Sequence, residues 1–403
     1  MDVPLTLPGR RSLVHWRRTL GRACRRRLLS LLFVLSFCTT FLVTTPTPAI
    51  TQLPRPEIRG VWITTNDAPV VRDRLRLQAA IQQLKQLNLN TIYPVVWNAG
   101  YAMYPSQVVQ DRGIQSFTYL GVDGQDTLAD LVEQGHQHGM LVIPWFEFGF
   151  MTPPSSELAT KYAQWLTQKV DGGYTSMSAA GEVMWLNPFR PEVQQFITDL
   201  VLEIVTKYDV DGIQFDDHTC LPHEFGYDSY TLALYQRETG NAAPPPNNPA
   251  WVKWRADKIT AFMVKLHAAV KANKPNVIFS VSPNYYDFAY KFHLQDWLAW
   301  IRQGAVDELV MQVYRPDLAS FVEQISRPEV QEARQKIPTG IGILTGTRNN
   351  PIPLSQIQAQ VRAVQERNLG VAFFYYESLL NYAPESVADR HSGLQALFLG
   401  STQ

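Results

Sequence analysis

Three titratable residues stand in a row at the end of the run Gly212-Ile213-Gln214-Phe215-Asp216-Asp217-His218. Read as a strand, this run puts Ile213 and Phe215 on one face and Gly212, Gln214 and Asp216 on the other. If the apolar face meets helices, Asp216 arrives at the end of the opposite face, and Asp217 and His218 open the following loop. The run Leu141–Phe148 repeats the pattern, with Trp145 and Glu147 on one face. A glutamate on an otherwise apolar strand is costly unless it is paired or lines a cleft. Three further apolar runs end in Ser280, Ser282 and Asn284, in Gln312, Tyr314 and Arg315, and in Tyr375 and Glu377. Five strand ends thus deliver polar groups to one edge.

Carboxylates among aromatic rings suit sugar chemistry. Glycoside hydrolysis needs one acid beside the glycosidic oxygen and a second carboxylate that attacks or activates water. Strand position makes Glu147 the expected proton donor and Asp216 the expected nucleophile or base. Asp217 would tune them, and Glu377 is the reserve carboxylate. Rings such as Trp62, Trp97, Tyr101, Trp145 and Tyr314 could stack on pyranose faces, with core packing the competing use of Trp62. Asn98 opens the cluster Asn98-Ala99-Gly100-Tyr101, which suits a cleft lining because it starts a loop. Other chemistries fit less well. His218 and His223 lie near Asp216, Asp217 and Glu224, a metal-capable set without tight ligand spacing, so no metal is expected. Cys220 sits among acids, which disfavour a thiolate. There is no G-x-S-x-G elbow and no P-loop, and no cofactor is expected.

The elements that must carry these groups alternate along the chain. Strands are expected at Gly60–Thr64, Thr91–Trp97, Leu141–Phe148, Gly212–Asp216, Val277–Ser282, Glu308–Tyr314, Pro338–Ile343 and Gly370–Tyr376. Apolar residues three and four apart predict helices over Asp73–Leu87, Asp126–His138, Pro191–Tyr208, Trp251–Ala272, Phe321–Lys336, Ile357–Arg367 and Glu385–Phe398. Near-continuous apolar strands that each feed a helix are parallel strands covered on their outer face. Eight such units predict an α/β fold, a (β/α)8 TIM barrel with long βα loops. A doubly wound sheet would want a Gly-rich turn after its first strand, and WITTNDAP lacks one. The connection after the third strand should hold its own short helix. The tract NAAPPPNNPA after the fourth reads as a solvated spacer.

Charge is unevenly spread. The 403 residues hold 36 basic and 36 acidic side chains, but the first 49 carry eight arginines against Asp2 alone. An apolar run, residues 28–43, follows, and then the small, proline-rich TTPTPAI. Residues 1–49 therefore read as a basic n-region and a hydrophobic signal peptide or anchor, with residues 50–400 as the barrel. Export to the periplasm or outside is expected. Retention of the run would leave the chain attached to a membrane through residues 28–43. The rest holds 28 basic and 35 acidic residues, a poor surface for nucleic acid.

The strand motifs themselves resemble a known family. EIRGVWITT (57–65), NTIYPVVWNAGYAMYPS (90–106), LVIPWFEFGF (141–150), WLNPFRPEVQQF (185–196) and VDGIQFDDH (210–218) are similar to the glycosyl-hydrolase-like family 10 proteins of bacteria. VSPN (281–284), QVYR (312–315) and FFYYES (373–378) fit the later strands. The resemblance implies a secreted or envelope-attached glycoside-hydrolase barrel acting on a glycan polymer of the cell envelope, peptidoglycan strands first. A non-catalytic glycan-binding barrel is the alternative. In the family pattern Arg59 stands on the first strand and Asp216 and Asp217 at the fourth. Relatives often carry an aromatic residue after the Asp pair, where this chain has His218. The residues expected to line the cleft are Arg59, Trp62, Asn98, Tyr101, Trp145, Asn187, Gln214, His218, Asn284, Gln312 and Tyr314.

Overall fold

The computed structural model describes residues 57–115 and 125–398; the leader and its expected signal or anchor lie outside them. Eight parallel strands close into a barrel. They are β1 (Arg59–Ile63), β2 (Thr91–Asn98), β3 (Leu141–Val142 continued by Trp145–Phe146), β4 (Gly212–Asp216), β5 (Ile278–Ser282), β6 (Glu308–Gln312), β7 (Thr339–Leu344) and β8 (Gly370–Phe374). Each pairs with its sequence neighbours, and β1 closes the ring by pairing both Gly60 with Ala372 of β8 and Gly60 with Thr91 of β2. The TIM barrel expected from strand count and alternation is the fold found.

β3 is broken where Pro144 stands. Proline has no N–H to give to a ladder, and the register against β2 shifts between Val95 and Trp97. The carbonyl of Pro144 still accepts from Gln214 N at 2.8 Å. The shift re-aims the end of β3, which bears Glu147.

Helices α1 (Arg74–Gln86), α2 (Thr127–Gln137), α3 (Pro191–Lys207), α4 (Pro249–Asn273), α5 (Trp297–Arg302), α6 (Pro328–Lys336), α7 (Leu354–Gln365) and α8 (Val387–Gln395) wrap the barrel. Their starts follow simple chemistry. The Asp73 side chain accepts from Leu75 N and Arg76 N, and Pro249 and Pro191 occupy first turns, where a missing N–H costs nothing. The inner stripe of α1, Leu77, Ile81 and Leu84, is fully buried. Truncating one such leucine to alanine costs about 2–5 kcal/mol. Ile213 and Phe215 join this strand–helix layer, whereas Trp62, Tyr93, Ile143, Trp145 and Val310 form a second cluster inside the barrel.

Some elements differ from the sequence reading. The predicted helix Phe321–Lys336 is two, Leu318–Ile325 and α6, because Pro328 forbids helical backbone at Arg327 (ψ 148°). The helix Ser229–Thr239 in the β4–α4 connection was not expected, nor was the helix Tyr286–His293, nor α5. The β3–α3 connection holds the expected short helix, Glu157–Lys161, and also a three-stranded antiparallel sheet of Met151–Thr152, Gly181–Trp185 and Thr175–Ser178. The proline tract is solvated, as expected, and is also tied down. Tyr227 Oη donates to Pro244 O at 2.6 Å, and the buried Arg255 donates to Pro246 O at 2.7 Å. Among the described residues no helix is long and apolar enough to cross a membrane.

Candidate active site

The alternation on β4 holds side chain by side chain. Gln214 points inward, where it accepts from Trp62 Nε1 at 2.8 Å and donates to Ser280 Oγ at 2.9 Å. Ser280 in turn donates to Glu308 Oε1 at 2.6 Å, and Tyr93 Oη donates to the same oxygen at 3.1 Å. This polar layer is sealed and sits below the strand ends. It fixes the floor on which Asp216 stands.

Asp216 has a side chain only 2% exposed. Trp145 Nε1 donates to its Oδ2 at 2.8 Å and Gln312 Nε2 to the same oxygen at 3.2 Å. Its neighbour Asp217 is more open, at 13%, and accepts from Asn284 Nδ2 at the end of β5. Glu147, half-buried at the end of β3, accepts from Asn98 Nδ2 at the end of β2. Four adjacent strand ends, β2 to β5, thus meet in one place, and β6 joins through Gln312.

His218 ties the group together. Its Nδ1 lies 2.9 Å from the backbone oxygen of Glu147, 3.1 Å from Asp216 Oδ1 and 3.4 Å from Asp217 Oδ1. A carbonyl can only accept, so Nδ1 carries a proton. Phe150 N donates back to His218 O at 3.1 Å, so the β3 and β4 loops are in backbone contact. Gly149 permits this approach. Its φ is +49°, and a Cβ there would lie 2.3 Å from His218 O.

The electrostatics follow from burial and this geometry. Burial raises the Glu147 carboxyl to about 7, against smaller lowering effects of Asn98 and His218. Burial, then the charge of Asp217, pushes Asp216 well above the ordinary range. Burial would raise Asp217 too, but His218 and the hydrogen bonds from Asp216 and Asn284 outweigh it and lower its pKa. Burial alone would neutralise His218, yet Asp217 and Asp216 hold it up at about 10. At neutral pH the site therefore sets an imidazolium beside Asp217, whose pKa is lowered, with Asp216 shifted toward its protonated form beneath and Glu147 near its midpoint.

Asp216, Asp217 and His218 also offer ligand atoms within 4.8 Å of one another, a possible metal set among the described residues. The nitrogen facing both carboxylates is the protonated Nδ1, and a protonated nitrogen cannot ligate. The trio fits a charge-paired hydrogen-bond cluster better than a cation site. Cys220 is fully buried, and burial, with Asp217 and Asp216, pushes its thiol far up. Its Sγ lies 3.6 Å from His293 Nδ1.

Other residues singled out from the sequence fall in different places. Tyr314 stands over the cluster. Its hydroxyl is buried with no hydrogen bond to the described residues, and burial, with Asp216, Asp217 and Glu147 nearby, pushes it well above its usual value. Trp62, Trp97 and Trp145 are buried, so none offers a ring face to a ligand, and Trp145 acts through its Nε1 on Asp216 instead. Asn187 is also sealed; it donates to Asp228 Oδ2 at 3.0 Å and Thr231 Oγ1 at 2.8 Å, pinning the β3–α3 loop to the helix Ser229–Thr239. Tyr101 meets the helix Glu157–Lys161, its hydroxyl accepting from Glu157 N at 3.2 Å. Arg59 begins β1, at the opposite barrel edge from Asp216, with its guanidinium 5.9 Å over Phe398. Glu377 accepts from Arg348 at 3.1 Å and from Tyr382 Oη at 2.9 Å, beside β8.

Two supports went unnoticed in the sequence. Gln295 donates to Asp216 O at 3.1 Å and holds the backbone of the Asp pair from the β5–α5 connection; nothing in its local pattern marks it. Glu308 could have been found, because it shares strand parity with Gln312 and so must face the axis.

Comparison with known proteins agrees with this architecture. A family profile described as Glycosyl hydrolase-like 10 matches residues 57–363. Glycosyl hydrolase DigH of Escherichia coli K12 is 28% identical over 311 residues, covering 67% of this chain and 68% of that protein. Glycosyl hydrolase YngK of Bacillus subtilis is 23% identical over 334 residues, covering 73% of this chain and 60% of its own length. Among solved structures, the PgaB (BpsB) glycoside hydrolase domain from Bordetella bronchiseptica superposes with a TM-score of 0.60 at 16% identity, covering 85% of this chain and 98% of that one. An α-L-fucosidase from Paenibacillus thiaminolyticus gives 0.58 at 12%, covering 85% and 49%. At such identities these two structures speak for the fold alone.

Proposed function

The chain belongs to the glycosyl hydrolase-like 10 family, and from that premise we propose that its barrel hydrolyses a cell-envelope polysaccharide, peptidoglycan glycan strands first, through Glu147 and the Asp216–Asp217 pair. Family membership makes it a glycosidase; the substrate and the roles below are our reading. The observation that carries the roles is geometric: Glu147 and Asp217 end neighbouring strands, and His218 Nδ1 lies 2.9 Å from the Glu147 backbone oxygen and 3.4 Å from Asp217 Oδ1, with burial raising the first carboxyl to about 7 and the imidazole lowering the second.

Glu147 remains largely protonated below its pKa of about 7, so it can give its proton to the glycosidic oxygen as the C–O bond breaks. The positive charge that develops at the anomeric carbon needs an anion. Asp217 supplies it, either attacking that carbon or taking a proton from the attacking water. Strand position alone pointed to Asp216 for this part. Burial favours Asp217, because Asp216 lies beneath Trp145 and Gln312 while Asp217 is the more exposed carboxylate of the two. Asp216 then shares its proton with Asp217, and Gln312 and Trp145 keep it in place.

The envelope substrate rests on the arginine-rich leader and apolar run, which fit an exported protein, secreted or periplasmic, with residues 28–43 as the anchor if the run is retained. Long β3 and β4 loops, which wall the strand ends, suit a polymer. The motif resemblance points to wall glycan within that class.

The test is incubation with purified peptide-free glycan strands and with soluble α- and β-glucans, products read by mass. Shortened strands from the wall glycan, lost in Asp217→Asn and Asp216→Asn, are expected. Equal rates in the variants would remove the Asp pair from the chemistry. Saturable binding with no product would make the protein a glycan-binding barrel instead.

A further inference from the structure

Beyond the carboxylate cluster, the β5–α5 connection carries a line of aromatic rings that starts at Tyr285, packed against the core, and continues through Phe288 and Phe292, which the core does not use. Tyr285 follows Asn284, the residue that holds Asp217. Tyr285 is the N-cap of the helix Tyr286–His293, and Phe288 and Phe292 lie four apart on one face of that helix. Their ring centroids are 5.6 Å apart for Tyr285–Phe288 and 5.7 Å for Phe288–Phe292, and His223 continues the line 5.3 Å beyond Phe292. Arg315 and Arg327 clamp Tyr285, at 5.1 and 5.4 Å from its ring. Phe292, at the outer end, is 47% exposed.

We propose that Phe288 and Phe292 form a distal glycan subsite, a platform on which sugar units of a polymer rest while the reacting linkage lies at Asp217. The proposal rests on the glycosidase reading and adds where the rest of the chain goes. An exposed phenylalanine loses free energy to water unless something covers it. The ring line starts next in sequence to Asn284, which holds Asp217, and ends at the exposed Phe292. A broad apolar patch would suit a protein partner. A narrow ring line suits the C–H face of a pyranose, whose hydroxyls stay in water at the edges. Clamping of Tyr285 fixes the inner end, so the line keeps a constant direction from the cleft.

The experiment is retardation of the full chain in native gels cast with peptide-free peptidoglycan strands, chitosan, or soluble α- or β-glucan, comparing wild type with Phe292→Ser and with Phe288→Ser/Phe292→Ser. At least one polymer should retard the wild type, and Phe292→Ser should weaken that retention about ten-fold. Phe292 is exposed, so this single variant should fold even if the half-buried Phe288 proves structural. Equal retention of wild type and Phe292→Ser, or no retention of the wild type by any polymer, overturns the subsite. Cleavage of the same polymers is followed in parallel. Cleavage with unchanged retention sinks the subsite and spares the glycosidase reading. Strip-dependent retention without cleavage does the reverse.

Discussion

Glu147 and Asp67 make an instructive pair. Both are carboxylates just beyond the C-terminal ends of barrel strands, and burial raises both to about 7. Yet their surroundings differ in kind. Asp67 is sealed and saturated by donors: Thr64 N at 2.7 Å and Thr64 Oγ1 at 3.2 Å reach Oδ2, and Glu377 N at 2.9 Å reaches Oδ1. It fastens the loop after β1 to the short helix Tyr376–Leu380 that follows β8. Glu147 accepts from one side chain, Asn98, and stays half-buried beside an imidazolium and a second carboxylate. A raised pKa therefore does not identify a catalytic acid. Unsatisfied, reachable oxygens next to a complementary charge do.

The largest expected effect separates the two regions by activity. Glu147→Gln and Asp217→Asn should each cut turnover of the glycan by about 10²–10⁴-fold with the fold intact. Asp67→Asn should leave turnover within a few-fold of wild type at 25 °C. A comparable loss in Asp67→Asn would erase the distinction.

Next comes the backbone contact that builds the active end. Gly149→Ala forces a Cβ into His218 O at a positive φ. Displacement of the β3 loop by even about 1 Å should cost about 100-fold in turnover, with a lower melting temperature. Full activity in this variant would mean that the β3–β4 contact does not set the site.

His218→Gln tests the charge logic. The imidazolium lowers the pKa of both Asp217 and Glu147. Without it both should rise, so the acid limb (Asp217 ionising) and the base limb (Glu147 losing its proton) of the pH–rate profile should both move to higher pH. A profile that merely shrinks, with unmoved limbs, would reduce His218 to a packing residue.

The smallest effect is in stability. A carboxyl whose pKa is raised on folding binds its proton more tightly in the native state. Its contribution is fully present below the unfolded value and is lost as pH rises through the folded one. For Glu147 and Asp67 that window runs from about 4 to about 7. Glu147→Gln should therefore be more stable than wild type at pH 8, where a buried charge is removed. Asp67→Asn should be less stable than wild type at pH 5, by about 1–3 kcal/mol, with the deficit shrinking toward pH 8 as the wild-type carboxylate ionises. An amide has one oxygen, so either Thr64 N or Glu377 N loses its acceptor. Urea melts at pH 5 and pH 8 decide it, and equal shifts in the two variants would contradict the comparison.

Much of this was legible in the chain. Period-two alternation in Gly212–Asp216 placed Gln214 and Asp216 on the axis, because a parallel strand has one helix-facing and one inner face. The same rule brought Glu147 to its neighbour. What it could not reach was the division of charge between Asp216 and Asp217, which depends on a backbone oxygen 71 residues away from His218. Side-chain alternation also says nothing of depth, so sealed Asn187 and Trp62 resembled cleft residues. Arg59 begins its strand, β1, which puts it at the barrel edge opposite the site. The β5–α5 segment hid its helices because aromatic residues occupy both faces of Tyr286–His293: Tyr286 and Tyr290 stack 5.9 Å apart on one, Phe288 and Phe292 lie on the other.

The central claim is that this barrel adds water across a glycosidic bond with Glu147 as the acid. Peptide-free glycan strands incubated in ¹⁸O-labelled water give the most direct reading. The expected result is a new reducing end bearing one heavy oxygen, formed by wild type and suppressed in Glu147→Gln. Intact strands with wild type, or label entering equally fast with Glu147→Gln, would contradict it.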